Sequence, residues 1–350
     1  MSARDAADRC GAGNLPYEPP NWLRNAHLQT LYASCIARCP RIVWRRSRWS
    51  TPDGDFVDLD WLGANRGTAR ACALSPSPLI VVFHGLEGSS GSHYARTLMH
   101  AIDCRGWRGV VVHFRGCSGE PNLLPRAYHS GDSAEIDWIL RRMRAEHPGP
   151  LACIAVSLGG NALLKWLGER GPAASSVLDA ACAISAPVDL TAAGTALERG
   201  FNRLYTWNFL RTLKRKSRQK LRTFPGLLND AAMRRARTLR MFDDHVTAPL
   251  HGFIDADDYW TRSSSKPWLK HIAVPTLVLN ARDDPFLPAH ALPSAADVSA
   301  AVTLEQPAHG GHGAFISGPF PGSLDWMPAR VLAFAQAQLP DSRVAHVGVA

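Results

Sequence analysis

The sequence predicts an α/β fold, a mostly parallel sheet with helices on both faces, and two features predict it. Short continuous apolar runs recur along the chain, and helix-length amphipathic segments alternate with them. Strands buried on both faces read as unbroken apolar runs, and their alternation with helices argues for an open α/β sheet. The chain has 350 residues, with 46% hydrophobic and 20% charged, so it is long enough for a large core and too apolar for general disorder.

The elements follow in order. Residues 1–40 are rich in Pro, Asn and Arg and contain one amphipathic patch, HLQTLYASCIA; they read as an arm packed on a domain spanning 41–340. Two β-rich runs then flank Pro52-Asp53-Gly54, a turn signal, which predicts a hairpin. Strands are expected at Leu79 to Phe83, Gly109 to Phe114, Leu151 to Val156, Leu178 to Ile184, Thr276 to Leu279 and Val302 to Leu304. Helical patterns fall near 93–105, 131–146 and 160–170. Between Asp189 and Lys270 the alternation stops for about 80 residues, more than one crossover helix needs. A helical, cap-like insertion over about 190–265 is expected there. In it Phe201, Leu204, Tyr205, Phe209 and Leu213 recur at helical spacing, followed by Arg211, Lys214, Arg215, Lys216, Arg218, Lys220 and Arg222. Residues 341–350 read as a tail.

Composition narrows the function classes. No run approaches the roughly 18 apolar residues of a spanning helix, and the N-terminus lacks the apolar core of a secretory signal. Eight cysteines are scattered without a CxxC pair, which weakens zinc and thioredoxin readings and favours a reducing cytoplasm. The formal charge of +9 favours contact with anions without naming one.

The chemistry sits at strand ends. In CIAVSLGG a strand runs into Ala155-Val156-Ser157-Leu158-Gly159 and a helix follows, which is a nucleophile elbow with Ser157 at its tip. Small flanks are required because the turn is tight; Ala155 stands where glycine is usual. The competing reading is that Ser157 merely caps the helix. A serine needs a base, and the base needs a carboxylate. Asp284, before Pro285 in ARDDPFLP, is favoured as the acid over its neighbour Asp283. His312, flanked by glycines in AHGGHGAF, is favoured as the base over His309. A zinc site on this histidine pair lacks a third ligand nearby. An oxyanion needs two aimed N–H donors. Leu158, after the nucleophile, supplies one, and Leu86 in HGLEGSSG supplies the other. That glycine loop carries no phosphate-binding pattern.

Together these segments resemble the α/β-hydrolase superfamily, and more narrowly the YheT-like esterases. The resemblance runs from about Pro19 to Phe334 through NWLRNAHLQTL, PDGDFVDLDW, HGLEGSSGSHYAR, VVVHFRGCSGEPNLLPRAYHSGD, AVSLGGNALLKWLGE, PTLVLNARDDPF and GGHGAFI. It implies an α/β-hydrolase fold, the same Ser157, Asp284 and His312, hydrolysis of short acyl esters or monoacylglycerols, and no cofactor or metal. Two alternatives use other chemistry: an acyltransferase on the same serine, or a lipid-binding protein. The expected partner is a small ester or lipid, with peripheral membrane contact through residues 199–222 and no nucleic acid. The segment around Tyr128 and His129 is given no mechanism by its sequence.

Overall fold

The computed structural model describes residues 16–63 and 77–339. The tail at 341–350 and most of the first half of the arm lie outside them. Eight strands form one sheet: β1 (Trp44–Ser50), β2 (Phe56–Leu62), β3 (Leu79–Phe83), β4 (Arg108–Val112), β5 (Leu151–Val156), β6 (Ala180–Ile184), β7 (Thr276–Leu279) and β8 (Val302–Glu305). Their order is β1-β2-β4-β3-β5-β6-β7-β8. β1 and β2 form the antiparallel hairpin, β2 joins β4 antiparallel, and the remaining pairs are parallel. The mostly parallel sheet expected from the apolar runs is therefore present, with strand bounds shifted by one or two residues.

The central strands are buried along their whole length, which explains why they lack polar alternation. One apolar layer packs α3 (Ser133–Glu146) and α4 (Leu158–Arg170) on one face through Ile136, Ile139, Leu163 and Leu167. The other face carries α2 (His93–Cys104) and α11 (Trp326–Gln338) through Leu98, Ile102, Val331 and Leu332.

The motifs around the hairpin have a structural reason. Arg115 is buried and pairs with Asp53, Asp55 and Glu135, and Asn122 Nδ2 donates to Asp55 at 2.6 Å. PDGD and FRGCSGEPN thus occur together because one guanidinium ties the hairpin turn to α3. A buried charge needs such paired acceptors.

Between β6 and β7 the chain builds a helical layer: α5 (Leu190–Leu197), α6 (Asn202–Thr223), α7 (Asp230–Arg235), α8 (Leu239–Phe242), α9 (Ala248–His251) and α10 (Ala256–Ser263). It has a small core of its own, from Leu210, Leu228, Met233, Phe242 and Val246. α1 (Ala26–Cys35) forms from the amphipathic patch of the arm. No helix among the described residues is long and apolar enough to cross a membrane.

α6 forms where the helical spacing places it, and it divides both sets of residues between two faces. Tyr205, Phe209 and Leu213 face inward, but Phe201 and Leu204 are about half exposed. The basic run is also split. Lys214 donates to the Arg234 and Ala236 carbonyls, Lys216 to Glu87, and Lys220 to Asn122 and Leu124, while Arg211, Arg215, Arg218 and Arg222 face solvent. The helical period separates them, because residues three and four apart share a face.

Candidate active site

Ser157 stands between β5 and α4 with φ +54° and ψ −121°, a strained conformation for a side chain bearing a Cβ. The turn closes only because its neighbours are small. A Cβ on Gly159 would lie 2.6 Å from the His84 carbonyl oxygen, and one on Gly160 would lie 3.0 Å from the Ala186 Cβ. Ala155 is fully buried and tolerated, since the tight contact falls on Gly159. Gly159→Ala is expected to destabilise the protein by about 1–3 kcal/mol through overpacking against backbone, read as a lower urea midpoint. An unchanged midpoint would mean that the β3 end can yield. Ser157 occupies the helix N-cap position, but its side chain makes no cap bond.

The hydroxyl instead lies 2.8 Å from His312 Nε2. His312 Nδ1 lies 2.9 and 3.0 Å from the two Asp284 oxygens, so an Nδ1–H donates to that carboxylate and leaves Nε2 to accept from serine. The Asp284 side chain is fully buried and also accepts from the Phe286 N–H at 2.8 Å. Asp283 points elsewhere: it accepts from the Gly311 N–H at 3.0 Å and lies 3.1 Å from His309 Nδ1. Burial raises the Asp283 carboxyl above its ordinary range. The two adjacent acids thus hold two different histidines.

The imidazole of His312 is fixed from further sides. Phe286 stacks on it at 4.1 Å, and the backbone N–H of His312 donates to Thr30 Oγ1 at 2.9 Å, which holds the loop. Thr30 belongs to α1, so HLQT of the arm positions the histidine loop. A Cβ on Gly311 would meet the Ala26 carbonyl at 2.7 Å, which makes this approach dependent on glycine. HLQT belongs both to the amphipathic patch and to the motifs of the family resemblance, and its apolar spacing carries no signal of this contact.

The loop after β3 is held by almost every polar group it has. The Gly85 N–H donates to the Tyr94 hydroxyl at 2.9 Å, and the Gly88 N–H donates to the Gly85 carbonyl at 2.9 Å. His84 donates from Nδ1 to the same carbonyl (2.7 Å) and accepts the Phe114 N–H at Nε2 (3.1 Å). Burial pulls the His84 pKa down to about 3, so the ring stays neutral in this role. The Glu87 N–H donates to the Tyr128 hydroxyl at 2.8 Å, and that hydroxyl donates to the Glu87 carboxylate at 2.9 Å. Lys216 from α6 completes the tie at 2.7 Å. Burial alone would lower its ammonium, but Cys117 and Glu87 outweigh it and raise the pKa. Glu87 itself has φ +57°, and these bonds offset that strain. Among the described residues the Leu86 and Leu158 amides donate to no protein acceptor. They are two of the undonated amides near Ser157, beside those of Gly159 and Gly160 in the first turn of α4.

Tyr128 therefore has a role that sequence did not assign. Tyr128→Phe keeps the stacking on Phe114 and removes the hydroxyl. It is expected to lower kcat on a soluble ester by about tenfold or more with little change in KM, because a donor is loosened rather than deleted. Lower thermal stability with unchanged kcat would reduce Tyr128 to packing.

A cavity of about 490 Å³ opens at Ser157 and His312 and runs under α6, with Leu86, Tyr128, Phe209 and Leu213 among its walls. That size suits a small organic ligand.

A family model described as "alpha/beta hydrolase fold" matches residues 78–319. YheT of Escherichia coli (strain K12) is 41% identical over 91% of this chain and 93% of its own. Phospholipase ABHD3 of Mus musculus is 32% identical over 96% of this chain and 82% of its own. A monoacylglycerol lipase of Saccharomyces cerevisiae is 26% identical over 60% of this chain and 48% of its own. Among solved structures, the Pyrococcus furiosus esterase Pf2001 superposes with a TM-score of 0.54 at 16% identity, covering 93% of this chain and all of that one. That likeness concerns the fold.

Proposed function

The chain belongs to the α/β-hydrolase family, in its YheT-like branch, and we propose that it is a serine hydrolase of carboxylic esters working through an acyl-enzyme. The observation that carries this reading is the unbroken line from Asp284 through His312 to Ser157, ending beside two free amides.

In this mechanism His312 Nε2 takes the Ser157 proton as the oxygen attacks the ester carbonyl. The Leu86 and Leu158 N–H groups hold the negative oxygen of the tetrahedral intermediate. The carbonyl–alkoxy bond then breaks, and His312 delivers its proton to the departing alcohol. Water enters and attacks the acyl carbon as His312 removes its proton; the bond from that carbon to Ser157 Oγ then breaks, His312 returns the proton to Ser157, and the acid leaves. Asp284 holds the imidazole in the tautomer that keeps Nε2 open. The apolar side chains of Leu197, Phe209, Leu213, Leu239 and Phe242 along the cavity support short acyl esters or monoacylglycerols as the substrate class, in keeping with the lipase and phospholipase names of relatives. A panel of p-nitrophenyl esters from acetate to palmitate tests this. Turnover with a chain-length optimum is expected; its absence across the panel overturns the esterase reading.

A further inference from the structure

The outward face of α6 is as distinctive as its inward one. Phe201, Leu204 and Trp207 are 49%, 47% and 59% exposed, an unusual cluster of large apolar groups in water. α1 extends it: His27 packs 4.7 Å from Phe201, and its neighbour Leu28 is 55% exposed. Further along the same face stand Arg211, Arg218 and Arg222, spanning about 16 Å at the helical rise, with the exposed Arg215 beside them at the rim of the cavity. Among the described residues none of the four meets a carboxylate. Arg211 lies over the Trp207 ring at 5.3 Å, so the apolar and basic halves are continuous. The lysines of the segment take no part, since protein atoms already hold them.

We propose that this face docks on an anionic lipid bilayer, with Phe201, Leu204, Trp207 and Leu28 entering the interface and the arginines meeting lipid phosphates. Charge argues against other occupants. Residues 1–15 carry Arg4 and Arg9 with Asp5 and Asp8, residues 64–76 carry Arg66 and Arg70 with no acid, and residues 340–350 carry Asp341 with Arg343. None has the excess of acid that would complement the stripe. A second copy packed antiparallel about a twofold axis would set the arginines of each helix on the apolar end of the other, which offers them no anion. A nucleic acid would suit the arginines and stack on Trp207, but it has no place for Leu28 and Leu204. A bilayer interface takes both halves: aromatic and aliphatic groups sit at headgroup depth, and each basic residue near an anionic surface adds attraction. The opposite face of this helix lines the cavity at Ser157, so docking places the catalytic pocket one helix diameter, about 10 Å, behind the lipid surface.

Sedimentation with vesicles tests the proposal on the full-length protein. One set is phosphatidylcholine alone, and the other carries about one third phosphatidylglycerol. Binding is expected to the anionic set and to weaken with added salt. The triple variant Arg211→Gln, Arg218→Gln, Arg222→Gln should lose about tenfold or more of the partition coefficient. Trp207→Ser should also weaken binding, and both variants should hydrolyse a short soluble ester like the parent. Ser157→Ala should bind vesicles as the parent does, which separates docking from catalysis. Absence of binding, equal binding to neutral vesicles, or full binding by the triple variant would overturn the proposal. So would retention of duplex DNA without retention of vesicles.

Discussion

Ser157→Ala is expected to lower hydrolysis of p-nitrophenyl esters by about four orders of magnitude or more. The hydroxyl is the only group at the tip of the elbow that can form the acyl bond, and it lies 2.8 Å from the imidazole that takes its proton. Alanine removes one oxygen from a part-buried position, so the fold should survive; circular dichroism and the urea midpoint check that. The Leu86 and Leu158 amides remain in the variant and should leave a small residual rate above that of water. Steady-state rates on one ester, with the parent at equal concentration, give the ratio. Equal turnover in the two proteins would mean that another nucleophile acts, and the central claim would fall.

Asp284→Asn is expected to cost about four orders of magnitude in kcat, while Asp283→Asn stays within about tenfold. The reason is orientation. Both Asp284 oxygens face His312 Nδ1, so the carboxylate accepts the Nδ1–H and fixes the tautomer. An amide in that fully buried place presents a donor there and favours the wrong ring proton. Asp283 bonds the Gly311 amide, which the asparagine oxygen can still accept, and its other partner His309 is half exposed. Lost activity in the Asp283 variant with little change in the Asp284 variant would reverse the assignment. Parallel kcat measurements with both folds verified decide it.

These expectations show which parts of the site were legible in the chain. Ser157 was, because an elbow is local: strand, small residues, serine and helix are neighbours in sequence, and the Gly159 contact with the end of β3 explains the pattern. His312 was legible among its glycines for a similar reason, since a turn that brings an imidazole inward needs backbone freedom. The choice between Asp284 and Asp283 was favoured but open. Adjacent residues of an irregular turn point in different directions, and only the surrounding packing says which goes in. Tyr128 had no pattern at all. Its hydroxyl acts on Glu87, which lies 41 residues away, and a single tyrosine in a loop has no period to read. Thr30 is more remote still, meeting His312 across 282 residues.

The basic run on α6 shows the same division. Sequence gave the charge and the helix, and both stand in the structure. It could not tell Lys216 from Arg215, because neighbouring residues on a helix face about 100° apart and the inner direction is set by what the helix packs on. Legible in the sequence alone were the parallel sheet, the elbow, the serine and histidine that the structure brings together, and a helical stretch after β6. Each follows from hydrophobic burial and backbone freedom acting over a few residues. The tertiary structure alone decided which aspartate faces the imidazole, which residues hold the Leu86 turn, how the arm reaches the histidine, and which cations remain for an outside partner. Those outcomes depend on contacts between distant segments, and only the closed fold brings their atoms within hydrogen-bonding distance.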